Sequence, residues 1–158
     1  MAEKPPRVCN LRTQLIALFA LLLGTAGFVA ATGLLGTAVS LRASSLGFSG
    51  NVLGVVLSAY FAGFVIGTYI GPQIIQRTGH IRAFSVFAAT ACAAVLLHVV
   101  FSAAAWWILL RLLTGASVGG MYMVLESWLN ERSTNEQRGA IFSAYQAVAL
   151  LSLGLGQY

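Results

Sequence analysis

The sequence predicts an all-α integral membrane protein: a bundle of about five transmembrane helices with its N-terminus on the cytoplasmic side. Three observations carry that prediction. Hydrophobic residues make up 58% of the chain and charged residues 8%, with no aspartate at all. A soluble domain needs roughly a quarter of its residues charged to cover its surface, so this chain's exterior is expected to face lipid. The apolar residues also fall into runs long enough to cross a bilayer, each needing about 20 residues. Finally, the cations sit almost entirely in the gaps between those runs, which is how a bilayer protein encodes its orientation.

Residues 1–12 are polar, with Pro5, Pro6 and the cations Lys4, Arg7 and Arg12, and read as a cytoplasmic tail. Residues 13–41 follow without a charge. This run is longer than the roughly 7–15 apolar residues of a cleaved signal peptide, although Val29-Ala30-Ala31 resembles a small-residue cleavage site. A short connection at 42–51 leads to the second span, 52–75. There Gly63, Gly67 and Gly71 recur every four residues. On a helix they share one face, and a face without side chains lets another helix approach closely.

Residues Gly71 to Arg82 contain the most informative short stretch, GPQIIQRTGHIR, read as a basic turn. The third span covers 83–101 and the fourth 104–125, opened by Trp106 and Trp107, whose amphipathic rings suit a membrane–water interface. ESWLNERSTNEQR, residues 126–138, is the most polar stretch, and a fifth span occupies 139–158. The five spans across 13–158 make an odd count that stops inside its pattern, as a truncated gene product or fragment would. The tail and the second and fourth gaps hold seven cations, and the first and third gaps only Arg42. The excess lies on the N-terminal side, which is therefore cytoplasmic. A net charge of +5 distributed in this way does not point to nucleic acid. Cys9 and Cys92 fall on separate sides of this topology, and no His or Cys pair has metal-ligand spacing.

Arg111 lies inside the fourth span. A cation there costs roughly 2.5–3.5 kcal/mol or more, so it should face a cavity or a partner unless its long stem lifts the guanidinium to the interface. At about 100° per residue, Arg111, Gly115, Val118, Tyr122 and Glu126 form one stripe, expected to be the helix's inward face, with Gly115 and Gly119 leaving room beside it. Glu126 is expected to pair with Arg77 or Arg82 at the same membrane level. Gly115 to Gly119 also matches G-x-S-x-G around Ser117. That motif makes a nucleophile elbow only on a strand–turn–helix, and neither His80 nor His98 is placed to serve as a base, so no enzyme activity is expected. Thr25 and Thr32 in the first span and Tyr145 and Gln146 in the fifth are further polar candidates for contact with a solute. Uncharged polar groups of this kind equally join helices to one another.

These residues resemble the major facilitator superfamily of secondary transporters. Arg77-Thr78-Gly79 with Arg82 is similar to the family's cytoplasmic loop between helices 2 and 3. Arg111, Gly115 and Gly119 match the spacing on its fourth helix, Glu126 resembles the acidic residue at that helix's inner end, and Arg138-Gly139 resembles the start of its fifth helix. The blocks GHIRAF and ESWLNERSTNEQRG resemble one bacterial subgroup. Three positions depart from the loop pattern: Gln76 stands for the usual aspartate, His80 for an arginine, and Pro72 for a glycine that Gly71 supplies one residue early. The resemblance implies two six-helix halves, with this chain covering helices 1–5 of the first and the remaining helices of the same protein as its partner. It implies transport of a small solute across the cell inner membrane by alternating access, without a bound cofactor but with a possible proton coupling. Gly71, Gln76, Arg77, Gly79, Arg82 and Glu126 would then form a cytoplasmic gate latch. The alternative from another class is a small structural or assembly membrane protein that transports nothing.

Overall fold

The structure, a computed structural model, describes residues 11–158 and the side chains of 19–131 and 133–158. Most of the expected tail, Cys9 and the side chains of Gln14 and Arg132 lie outside those described. Five α-helices follow in order: α1 Leu11–Ser45, α2 Gly50–Thr78, α3 His80–Val100, α4 Ala104–Arg132 and α5 Arg138–Gly156. Each contains a segment long and apolar enough to cross a membrane. The protein is therefore a multi-pass membrane protein of the expected all-α class.

The helix ends differ from the expected spans at the polar stretches. GPQIIQRT is not a turn: α2 runs through it to Thr78, with Pro72 inside the helix. The expected span ends at Ile75, where the apolar run gives way to Gln76 and Arg77, but the helix continues through those polar residues to Thr78. The whole reversal is instead made by Gly79, which ends α2 and begins α3 with φ 80° and ψ 164°. Its N–H closes on the Ile75 carbonyl at 2.8 Å, and its carbonyl accepts from the Ala83 N–H at 3.0 Å. Only glycine adopts that backbone conformation without strain. Gly79→Ala is therefore expected to lower stability by about 1–2 kcal/mol, read as an earlier thermal transition in detergent, even though a Cβ there would meet no neighbour within 4 Å. Glu126 to Arg132, likewise expected in a loop, are the last two turns of α4. At the other end of α2, Gly47 (φ 75°) closes α1: the Phe48 N–H reaches the Ala43 carbonyl and the Gly47 N–H that of Ser44, the paired bonds of a Schellman cap. Ser49 then caps α2 by accepting from the Val52 N–H.

The chain divides into two compact units. Residues 40–138 form one, in which α4 packs against both α2 and α3. Its seam is built from glycine on both sides. A Cβ on Gly63 would strike the Leu112 backbone, and one on Gly67 the Ala116 backbone. Reciprocally, Gly115 lies on the Tyr60 carbonyl and Gly119 on Phe64. Helices in lipid gain little from the hydrophobic effect, so this backbone-to-backbone approach supplies the dispersion that holds α2 to α4. Across from it, Gly120 receives the ring of Phe87 from α3. The second unit holds the N-terminal part of α1, up to Val39, together with α5. There Gly33 lies against Leu153 and Gly156, and Gly156 against Ala30.

Candidate functional site in the α2–α3–α4 unit

Arg111 is 4% exposed, among the most buried polar residues described. Its guanidinium carbon stands 4.5 Å from the centre of the Tyr60 ring on α2. Nε and Nη1 are both buried and have no hydrogen-bond partner among the described residues. The guanidinium is therefore covered by other residues of this unit rather than extended from its surface. A cation over a ring face gains roughly 0.5–2 kcal/mol, less than the insertion cost, and the N–H groups of Nε and Nη1, three of the guanidinium's five donors, stay unsatisfied.

The stripe expected on α4 is present. Gly115 and Val118 are buried, and Tyr122 and Glu126 are half-buried. Tyr122 meets Phe64 of α2 edge to face, with ring centres 5.8 Å apart. Ser117 is buried in the same helix and donates its hydroxyl to the Leu113 carbonyl at 2.9 Å, so its G-x-S-x-G lies in continuous helix with no strand or turn to present a nucleophile.

Above Arg111 lies a cluster that the sequence did not expose. Trp107, one turn earlier on α4, is 1% exposed and donates its indole N–H to the Phe101 carbonyl at 2.7 Å. The two tryptophans therefore do not act together as an interfacial belt: only Trp106 is exposed, stacked on Phe101. His98 of α3 packs edge to face on Trp107, with ring centres 5.2 Å apart, and Phe48 meets the same indole at 5.5 Å. His98 Nδ1 lies 2.7 Å from the Ala94 carbonyl. Because a carbonyl only accepts, Nδ1 carries the hydrogen, and in the neutral ring Nε2 is left as an acceptor.

At the opposite end of the unit, the expected pairing of Glu126 with Arg77 or Arg82 is not formed. Among the described residues, no ion pair joins them, and both arginines are exposed, as are Gln76 and Gly79. The physical reason is the helical course of the stretch. With only Gly79 between α2 and α3, His80 is the half-buried residue beside α4. Its Nε2 lies 3.1 Å from Ser127 Oγ and 3.5 Å from Glu131 Oε1, one helical turn apart on α4. The side chain that joins the start of α3 to α4 here is thus His80, one of the departures from the loop pattern, through Ser127 and Glu131. Gly71 is buried, next to Met123 and Gly120, and belongs to the packing seam.

The remaining candidates lie in the other unit. Thr25 is 1% exposed, and its hydroxyl has no hydrogen-bond partner among the described residues. Thr32 is half-buried and donates to the Val29 carbonyl at 2.7 Å. Tyr145 is fully buried and packs on Phe142, whereas its neighbour Gln146 is exposed, so the two do not share a surface. Tyr60 and His98 were legible only indirectly: an intramembrane arginine demands an aromatic or polar partner, and Tyr60 stands three residues before the glycine seam facing it.

Residues 21–158 match the family model of the Major Facilitator Superfamily. Among curated proteins, the chain is 33% identical over 109 residues to the "Uncharacterized MFS-type transporter YcaD" of Escherichia coli, in strains E24377A, HS and K12 DH10B alike. The match covers 66% of this chain and 28% of each relative, so the chain spans well under half their length. No solved structure matches.

Proposed function

Since this chain belongs to the major facilitator superfamily, we propose that it supplies the first five membrane helices of a secondary transporter, carrying a small solute across the cell inner membrane by alternating access. Arg111 carries this reading. It is a buried cation inside a membrane helix, with donors that nothing among the described residues accepts. A charge placed at such cost is characteristic of a solute or ion path. In this reading Arg111 holds an anionic group of the solute, with Tyr60 steadying the guanidinium and Tyr122 lining the path further inward. The facing surface is assigned to further helices of the same protein. The inner joint of His80 with Ser127 and Glu131 keeps α3 and α4 together at the cytoplasmic gate while the two halves rock.

The test is made on the full-length gene product in proteoliposomes. A panel of organic and inorganic anions is presented under imposed gradients, with solute entry read by radiotracer or by current on a supported membrane. The expected result is entry of at least one anionic solute, driven by its own gradient or by that of a coupled ion. Protein-free rates for every solute, from a preparation shown to be folded, would leave the structural or assembly role as the better account.

A further inference from the structure

The lone acceptor at His98 and the lone donors at Arg111 belong together. His98 is 8% exposed and Arg111 4%, and His98 Nε2, like Arg111 Nε and Nη1, is buried without a hydrogen-bond partner among the described residues. His98 packs on Trp107, and Arg111 follows Trp107 by one helical turn on the same face of α4. Both residues therefore border the same indole, His98 across from α3 and Arg111 from the next turn of α4. Among the described residues, the titratable group seen against the guanidinium is Tyr60 of α2, whose ring it faces at 4.5 Å. A buried polar atom without a partner costs roughly 1–3 kcal/mol, and more for a charged group, so three such atoms on residues that border one indole favour an occupant that serves them all.

The two sides set opposite conditions on that occupant. Arg111 offers only donors and a positive charge, so the occupant must accept hydrogen bonds and be anionic. Nε2 of the neutral ring offers only a lone pair, so the occupant must also donate one. A halide or a fully deprotonated oxyanion satisfies Arg111 but turns a lone pair toward that of Nε2. A water molecule satisfies Nε2 but leaves the guanidinium charge uncompensated. We propose that His98 and Arg111 form one buried subsite that takes an oxyanion still bearing an O–H, the class of hydrogen phosphates and hydroxycarboxylates. The oxyanion accepts from Arg111 Nε and Nη1 and donates its O–H to His98 Nε2. The assignment rests on the reading that Arg111 lines the solute path and adds a consequence to it: a hydrogen phosphate bound in this way carries its own proton across.

The experiment uses the full-length gene product with ¹⁵N-labelled histidine, in detergent or nanodiscs. Inorganic phosphate and lactate are the protic probes, and chloride is the anion without an O–H. His98→Asn identifies the resonance by difference and keeps an N–H near the Ala94 carbonyl while removing Nε2. The expected result is that phosphate or lactate shifts the His98 Nε2 resonance in the direction of an accepted hydrogen bond. Chloride should not, and the shift should vanish in Arg111→Gln. Affinity for the active probe should fall about ten-fold in His98→Asn, as for one lost hydrogen bond. A resonance unmoved by either protic anion overturns the proposal. So does an equal response to chloride, or an equal response in Arg111→Gln, which would indicate an ordered water only. The underlying reading fails separately: if uptake survives without Arg111, the path assignment falls whatever His98 does, and if uptake needs Arg111 while His98 stays silent, only the shared subsite falls.

Discussion

Arg111→Leu is expected to reduce solute entry by on the order of 100-fold and to leave the thermal transition unchanged or higher, since a hydrogen bond from a charged group contributes roughly 1.5–3 kcal/mol. The two directions follow from the same atoms. The arginine side chain is 4% exposed, over the Tyr60 ring at 4.5 Å, and no carboxylate pairs with it among the described residues. Its insertion costs roughly 2.5–3.5 kcal/mol, of which the ring contact returns roughly 0.5–2. Leucine fills much of the same volume without that cost, so the folded state should gain about 1 kcal/mol while the anion-holding group is lost. Arg111→Lys should lie between the two, because the charge remains but the planar fork does not. Uptake assays paired with melting curves in detergent check both. A residue kept only for packing would give the opposite pair: intact uptake and a lower transition.

Gly67→Val is expected to prevent α2 and α4 from packing at all. A Cβ at Gly67 would come within 2.9 Å of the Ala116 Cα and 2.8 Å of its carbonyl carbon. Those are backbone atoms of a continuous helix and cannot swing aside. Overpacking a core commonly costs 1–3 kcal/mol, and here no side-chain movement relieves it, so the cost should be at or above the top of that range. Two comparisons sharpen the result. Gly120→Ala meets only the outer atoms of the Phe87 ring, and Phe87→Leu should restore much of what it loses. Gly54→Ala on the same helix as Gly67 meets nothing within 4 Å and should be neutral or slightly stabilising. Size-exclusion profiles after heating would rank the three. A Gly67→Val protein as stable as Gly54→Ala would show that the α2–α4 seam is not formed by close backbone approach.

The spans and the seam were legible in the sequence because both are encoded locally, in runs of apolar residues and in glycines every four positions. The stripe from Arg111 to Glu126 was legible for the same reason, since helical periodicity places its members on one face. The inner joint was not. Its reading depended on where α2 ends, and the polar residues from Gln76 onward mark an end that the structure places at Thr78. Moving the turn to the single residue Gly79 turned Arg77 and Arg82 outward and brought His80 against Ser127 and Glu131. The His98–Trp107 contact was hidden for a different reason. It joins residues of two helices, and nothing in the pattern of either helix marks which ring turns inward. Trp106 and Trp107 look alike in sequence, yet one is exposed and the other is almost wholly buried.

In the proposed transporter, the Tyr122 side of α4 lines a path opened alternately to the two sides of the membrane. Thiol accessibility tests it most directly. In full-length protein lacking its native cysteines, Tyr122→Cys is treated with a membrane-impermeant thiol reagent from each side of sealed vesicles, with and without a transported anion. Leu109→Cys, on the exposed apolar face of the same helix, serves as the lipid-facing control. The expected result is labelling at 122 from both sides, with the balance shifted by the anion, and none at 109. Labelling at 122 from neither side, or from one side only and unmoved by every anion, would contradict it.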